Sequence, residues 1–120
     1  MSRLLPLLVT FLAGCSGNVC DYIGNYAGTF AGDASGSVTL TVTDGGEEGK
    51  AIATITLEGD EFSAIGNGEV HCDDGELVVT LLDDEGNEIG SFTGEMLADA
   101  GSGEWELGTG ESGTWEMAPT

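Results

Sequence analysis

Residues 37–43 read Ser37-Val38-Thr39-Leu40-Thr41-Val42-Thr43. Every second residue is aliphatic, and the residues between are hydroxylic. A period of two puts the aliphatic set on one face of a strand and the hydroxyls on the other. The β-branched content favours the same pleated conformation. Upstream, residues 22–30 place Tyr22, Tyr26 and Phe30 on one parity with Gly24 and Gly28. Such glycines either relieve crowding beside large rings or permit sharp bending, as at a barrel corner.

Reading outward, residues 44–49 form an acidic, Gly-rich turn, and 51–57 form a third strand with Ala53, Ile55 and Leu57 on one face. Residues 62–65 read as a short strand. After Gly66-Asn67-Gly68, residues 69–72 read as either a further short strand or the continuation of the last. Strands follow over 77–82, 89–97, 103–107 and 113–117, with turns between them. No 3.6-residue periodicity appears after Cys15. About eight short strands at roughly ten-residue spacing predict an all-β fold. It is an antiparallel up-and-down meander, closed or nearly closed into a small barrel.

Two echoes fit a meander. Gly28-Thr29-Phe30 matches Gly90-Ser91-Phe92, and Ser102-Gly103-Glu104-Trp105 matches Ser112-Gly113-Thr114-Trp115. If the last hairpin turns on Thr109-Gly110-Glu111, Trp105 lies directly opposite Trp115 as a cross-strand aromatic pair. Plain core packing is the other reading of the two rings.

Localisation rests on the first residues. The amine and Arg3 make a short positive region, and 4–12 are apolar except for Pro6 and Thr10. That run is too short for a bilayer core, which needs about 20 residues, but it suits a signal peptide. Leu12-Ala13-Gly14-Cys15 follows and resembles the lipobox of bacterial lipoproteins at all four positions. The resemblance implies a diacylglyceryl thioether on Cys15 and a place in the cell envelope. Ser16, rather than Asp, resembles the outer-membrane sorting signal of Gram-negative lipoproteins. The expected organisation is a signal peptide over 1–14, a lipid-anchored linker over 15–19 and the β-domain over 20–120. The stretches YAGTFAGDASGSVTLTV and SGEWELGTGESGTWEM resemble small Gly-rich β-meander lipoproteins of bacterial envelopes. That resemblance implies the fold and no activity.

Cys20 and Cys72 then remain as an even pair in an exported domain, which predicts a disulfide. Two free thiols, or a zinc site joining His71 and Cys72 to a carboxylate, are the alternatives.

Charge excludes more than it selects. Lys50 is the one base after Cys15 against 22 Asp and Glu, so that portion carries −21. Nucleic acid is a poor partner, because backbone binding needs Lys and Arg to displace counterions. His71 is the single His, and no nucleophile elbow, zinc-protease motif or phosphate-cradling loop is present. The chain therefore does not read as an enzyme.

Asp83, Asp84, Glu85, Asn87 and Glu88 concentrate oxygens suited to calcium, although the order departs from the EF-hand loop. Solvated hairpin turns are the simpler reading of the same residues. Two functional classes stand ahead of an enzyme. One is a lipid-anchored module binding cations or basic proteins; the other is a structural lipoprotein, with or without calcium.

Overall fold

The computed structural model describes residues 20–45, 47–60 and 62–120. The signal peptide, Cys15 and the linker lie outside them. Eight strands follow in order: β1 Gly24–Gly32, β2 Gly36–Thr43, β3 Lys50–Gly59, β4 Ser63–His71, β5 Glu76–Leu82, β6 Glu88–Leu97, β7 Ala100–Leu107 and β8 Ser112–Pro119. Each pairs antiparallel with its sequence neighbours, and β8 returns to pair with β1. The expected meander is a closed barrel. Closure leaves no free sheet edge.

The alternation in 37–43 is realised as read. Val38, Leu40 and Val42 are buried, while Ser37, Thr39, Thr41 and Thr43 are exposed. An eight-stranded barrel has an interior just wide enough to be filled by side chains. Here Phe30, Phe92, Trp105 and Trp115 fill it beside the aliphatic residues, and no polar or charged residue is buried among those described.

One boundary left open by the sequence is settled, and one differs from the sequence reading. β4 runs unbroken through Gly66-Asn67-Gly68, so the residues after it continue the strand to His71. Gly66 and Gly68 point inward, and a Cβ on Gly66 would lie 2.6 Å from side-chain carbons of both Ile55 and Val79. Glycine there makes room for neighbours; it does not end the strand. At the other boundary, Tyr22 precedes β1 instead of joining it. Gly24 has φ +145°, a conformation L side chains rarely adopt, and the chain turns there. Tyr22 still serves the barrel, because its carbonyl accepts a 2.8 Å hydrogen bond from the Tyr26 hydroxyl. Burial is the main cause raising the Tyr26 pKa.

The direct Trp105–Trp115 pair does not form. Trp105 stands opposite Gly113, and Trp115 opposite Gly103. The hairpin closes with the Leu107 amide donating to the Glu111 carbonyl, so its loop is 108–110, one residue earlier than expected. Gly110, at φ +100°, takes the left-handed position that ends such a three-residue loop. Moving the loop centre by one residue slides the register by two. Both indoles therefore stay inward while their direct opposition is lost.

Candidate functional site

Cys20 and Cys72 form a disulfide, with Cα atoms 5.0 Å apart. The Cys72 amide also donates to the Gly49 carbonyl. The bond fastens the start of the domain to the β4–β5 turn. The C-terminal Thr120 lies at this same end, where its amide donates to the Asn25 carbonyl. Because Cys72 is consumed in the disulfide, it is not a thiolate, and the zinc reading with His71 is removed.

Large aromatic side chains pack the barrel interior among the described residues. Trp105 packs edge-on to Phe30, with centroids 5.8 Å apart, and also meets Phe62. Trp115 stacks on Phe92 at 4.7 Å. Their indole N–H groups donate to the carbonyls of Ala31 and Thr93. The hydrogen-bonding groups of both Trp residues are thus satisfied inside the wall, and their role is packing.

The expected calcium cluster, Asp83 to Glu88, is the β5–β6 hairpin loop at the end remote from the disulfide. Asp83 organises it. Its Oδ1 accepts from the amides of Glu85 and Asn87, both at 2.9 Å, and its Oδ2 accepts from the Asn87 side chain at 3.4 Å. These donors, the Asn87 amide foremost, hold the Asp83 carboxyl below its usual pKa. The loop does not gather three acidic ligand atoms. Among the described residues, the His, Cys, Asp and Glu ligand atoms that come within 4.8 Å as a trio belong to His71, Asp73 and Asp74. They sit at the opposite end, on the turn beside the disulfide.

His71 belongs to a charged network that the sequence reading missed. Lys50 lies 3.2 Å from Glu69 and 3.7 Å from Glu47. Glu69 also meets His71 Nε2 at 3.1 Å, and His71 Nδ1 faces Glu76 at 3.5 Å. The hydrogen bond with Glu69 is the first cause raising the Lys50 pKa, and the same bond lowers that of Glu69. The network is assembled across strands: Lys50 pairs with His71 and Ile52 with Glu69 in the β3–β4 ladder. The signal was the shared outward parity of Glu69 and His71, which needs the ladder register before it points to Lys50.

Outward parity also divides the acids of the walls. On β1 and β2 the outward positions hold no carboxylate. On β3 and β4 they hold Glu58, near a barrel end, and Glu69, which is paired with Lys50. On β5 to β8 they hold six exposed glutamates: Glu76, Glu88, Glu95, Glu104, Glu106 and Glu116. Glu76, Glu95 and Glu104 border a shallow open groove across β5, β6 and β7, floored by Thr93 and Ser102. The outward acids are therefore concentrated on β5 to β8, while β1 to β4 carry only Glu58 and the Lys50-paired Glu69.

No family model, curated protein or solved structure matches the chain.

Proposed function

We propose that this chain is a lipid-anchored envelope protein whose barrel is an interaction module. In this reading Cys15 carries the lipid, and the acidic β5–β8 wall receives a basic protein or cationic group. The observation that carries it is the combination of a filled interior with exposed glutamates gathered on one wall. With large side chains packing the interior, this reading puts recognition on the outer surface, where the exposed glutamates make the field negative. Such a field steers cationic partners and is screened by salt.

The anchor and the disulfide support an orientation. Four residues separate Cys15 from Cys20, a reach of about 14 Å. Lipid on Cys15 would hold the disulfide end toward the bilayer and the Asp83 loop away from it. The lipobox match supports a place in the cell envelope, and Ser16 favours the outer membrane in a Gram-negative source. A calcium-stabilised structural role has weaker support, because turn amides already occupy the Asp83 carboxylate.

The test is retention of a basic protein such as lysozyme on the immobilised full chain. Retention at low salt is expected, with loss toward about 0.5 M salt as the Debye length shrinks. Glu95→Gln, Glu104→Gln and Glu106→Gln together should abolish it while leaving the melting temperature unchanged or raised. No retention at low salt, or retention indifferent to the triple substitution, overturns this reading.

A further inference from the structure

The acid-poor wall is organised. Following the ladders, Asn25 faces Thr41, Thr41 faces Thr54, Thr54 faces Asn67, Asn67 faces Thr80, and Thr80 faces Ser91. This belt of hydroxyl and amide groups crosses six strands without a charge, on a domain of −21. Exposed aliphatic residues flank its centre. Ile52 and Val78 lie on one side and Ile65 on the other, at 41%, 43% and 50% exposure. The single base of the domain neutralises Glu69, which stands between Ile52 and Val78 in the ladder.

We propose that the β2–β5 part of this belt, Thr41, Thr54, Asn67 and Thr80, is a self-association face on which a second copy of this chain docks. Threonine and asparagine side chains each donate and accept hydrogen bonds. A surface made of them can satisfy its own copy, as a two-fold interface requires. The aliphatic side chains on either side of the polar row add apolar contact. Because the barrel has no open edge, copies can meet only face to face.

Charge favours this face over any other for a like-charged partner. With two copies joined belt to belt, their acidic walls lie about 30 Å apart, three sheet spacings of about 10 Å. That is several Debye lengths at physiological salt, where one is about 8 Å. Sheets that pack face to face cross either nearly aligned or near 90°. The orthogonal crossing carries the acidic turns of one copy past the side of the other, clear of its acidic ends. A basic partner, by contrast, is drawn to the glutamates of the opposite wall.

The face is small. Four strands at about 4.8 Å spacing and roughly 17 Å of strand length give about 300 Å² per copy. A standard stable interface buries about 800 Å² per partner. Association in solution is therefore weak. It strengthens with salt, which screens the acidic rims. Basic-partner binding has the opposite salt dependence, so the two readings succeed or fail separately.

The experiment follows backbone amide NMR shifts of the full chain from about 0.05 to 1 mM, at about 0.1 M and about 1 M salt. Concentration-dependent shifts are expected on β2 to β5, with at least a threefold tighter dissociation constant at the higher salt. Thr54→Glu with Thr80→Glu, checked for an intact fold by its melting curve, should remove them. Glu104→Gln with Glu106→Gln should retain them. The proposal is overturned by shifts that do not change with concentration at either salt. It is equally overturned by shifts confined to β6–β8, or by shifts that survive the two threonine substitutions in a folded variant.

Discussion

Trp115 stands across the β7–β8 ladder from Gly103, and its indole occupies the space a side chain on Gly103 would need. A Cβ there would lie 2.8 Å from Trp115 Nε1 and 2.5 Å from Gly94 Cα. The second is backbone and cannot swing away. Gly113 and Trp105 repeat the arrangement, with 2.7 Å to the indole nitrogen. Overpacking of this kind costs about 1–3 kcal/mol, so Gly103→Ala and Gly113→Ala should each lower stability by about that amount in urea unfolding. Trp115→Phe should also destabilise, because it leaves the Thr93 carbonyl without its indole donor. Stability unchanged in both glycine variants would show that the rings do not need these positions.

The disulfide closes a loop spanning 52 positions. In the chain-entropy model a loop of that length is worth about 4 kcal/mol through the unfolded state. Cys20→Ser with Cys72→Ser should lower unfolding stability by up to about that amount without changing the barrel's circular dichroism. The reductant-treated natural chain should melt with the double variant. A barrel whose stability ignores reductant would mean that the sheet ladders and core carry it alone.

How far the residues foretold this molecule depends on how local the determining physics is. Alternation such as that of 37–43 is local, and it gave each strand its inward face. The even pair Cys20 and Cys72 needed only counting. Whether the strand continued past Gly66 stayed open, because a glycine inside a strand and a glycine in a turn look the same until its neighbours Ile55 and Val79 are placed. The tryptophan register failed by two residues because Gly110, the middle of the expected loop, instead takes the left-handed position that ends the loop 108–110. The Lys50–Glu69–His71 network and the uncharged belt were invisible because both are set across ladders, and a single strand carries no record of its register. The acidic wall was half legible: total charge was plain, and its concentration on β5–β8 needed the barrel.

Lipidation of Cys15 is expected from the complete lipobox match, Leu12-Ala13-Gly14-Cys15. Expressed in a bacterial host, the chain should incorporate labelled palmitate and fractionate with membranes. Cys15→Ala should lose the label and either stall before processing or appear as soluble material. Undiminished label in that variant would place the lipid on another residue. Membrane retention of an unlabelled variant would point to an uncleaved apolar segment.

Cation response separates the Asp83 loop from the charge of the whole domain. So many like charges disfavour the compact state, so added salt should raise the melting temperature by screening. A calcium site in the loop would add a calcium-specific rise through linkage. The geometry argues against that increment, since both Asp83 oxygens already accept hydrogen bonds within the turn. Sodium, magnesium and calcium at matched ionic strength should therefore give similar rises, and Asp83→Asn with Asp84→Asn should not single out calcium. Asp83 should show itself in acid instead. Its pKa is lowered in the folded chain by the Asn87 and Glu85 amides. The stabilisation is present above the unfolded carboxyl value, about 3.9, and is lost as pH falls through the lower folded value. Asp83→Ala should thus reduce stability at neutral pH and narrow its gap from the natural chain in strong acid. A rise with calcium well beyond that with magnesium, lost in the double variant, would restore the loop as a metal site and show that the turn amides give up Asp83 when the ion binds.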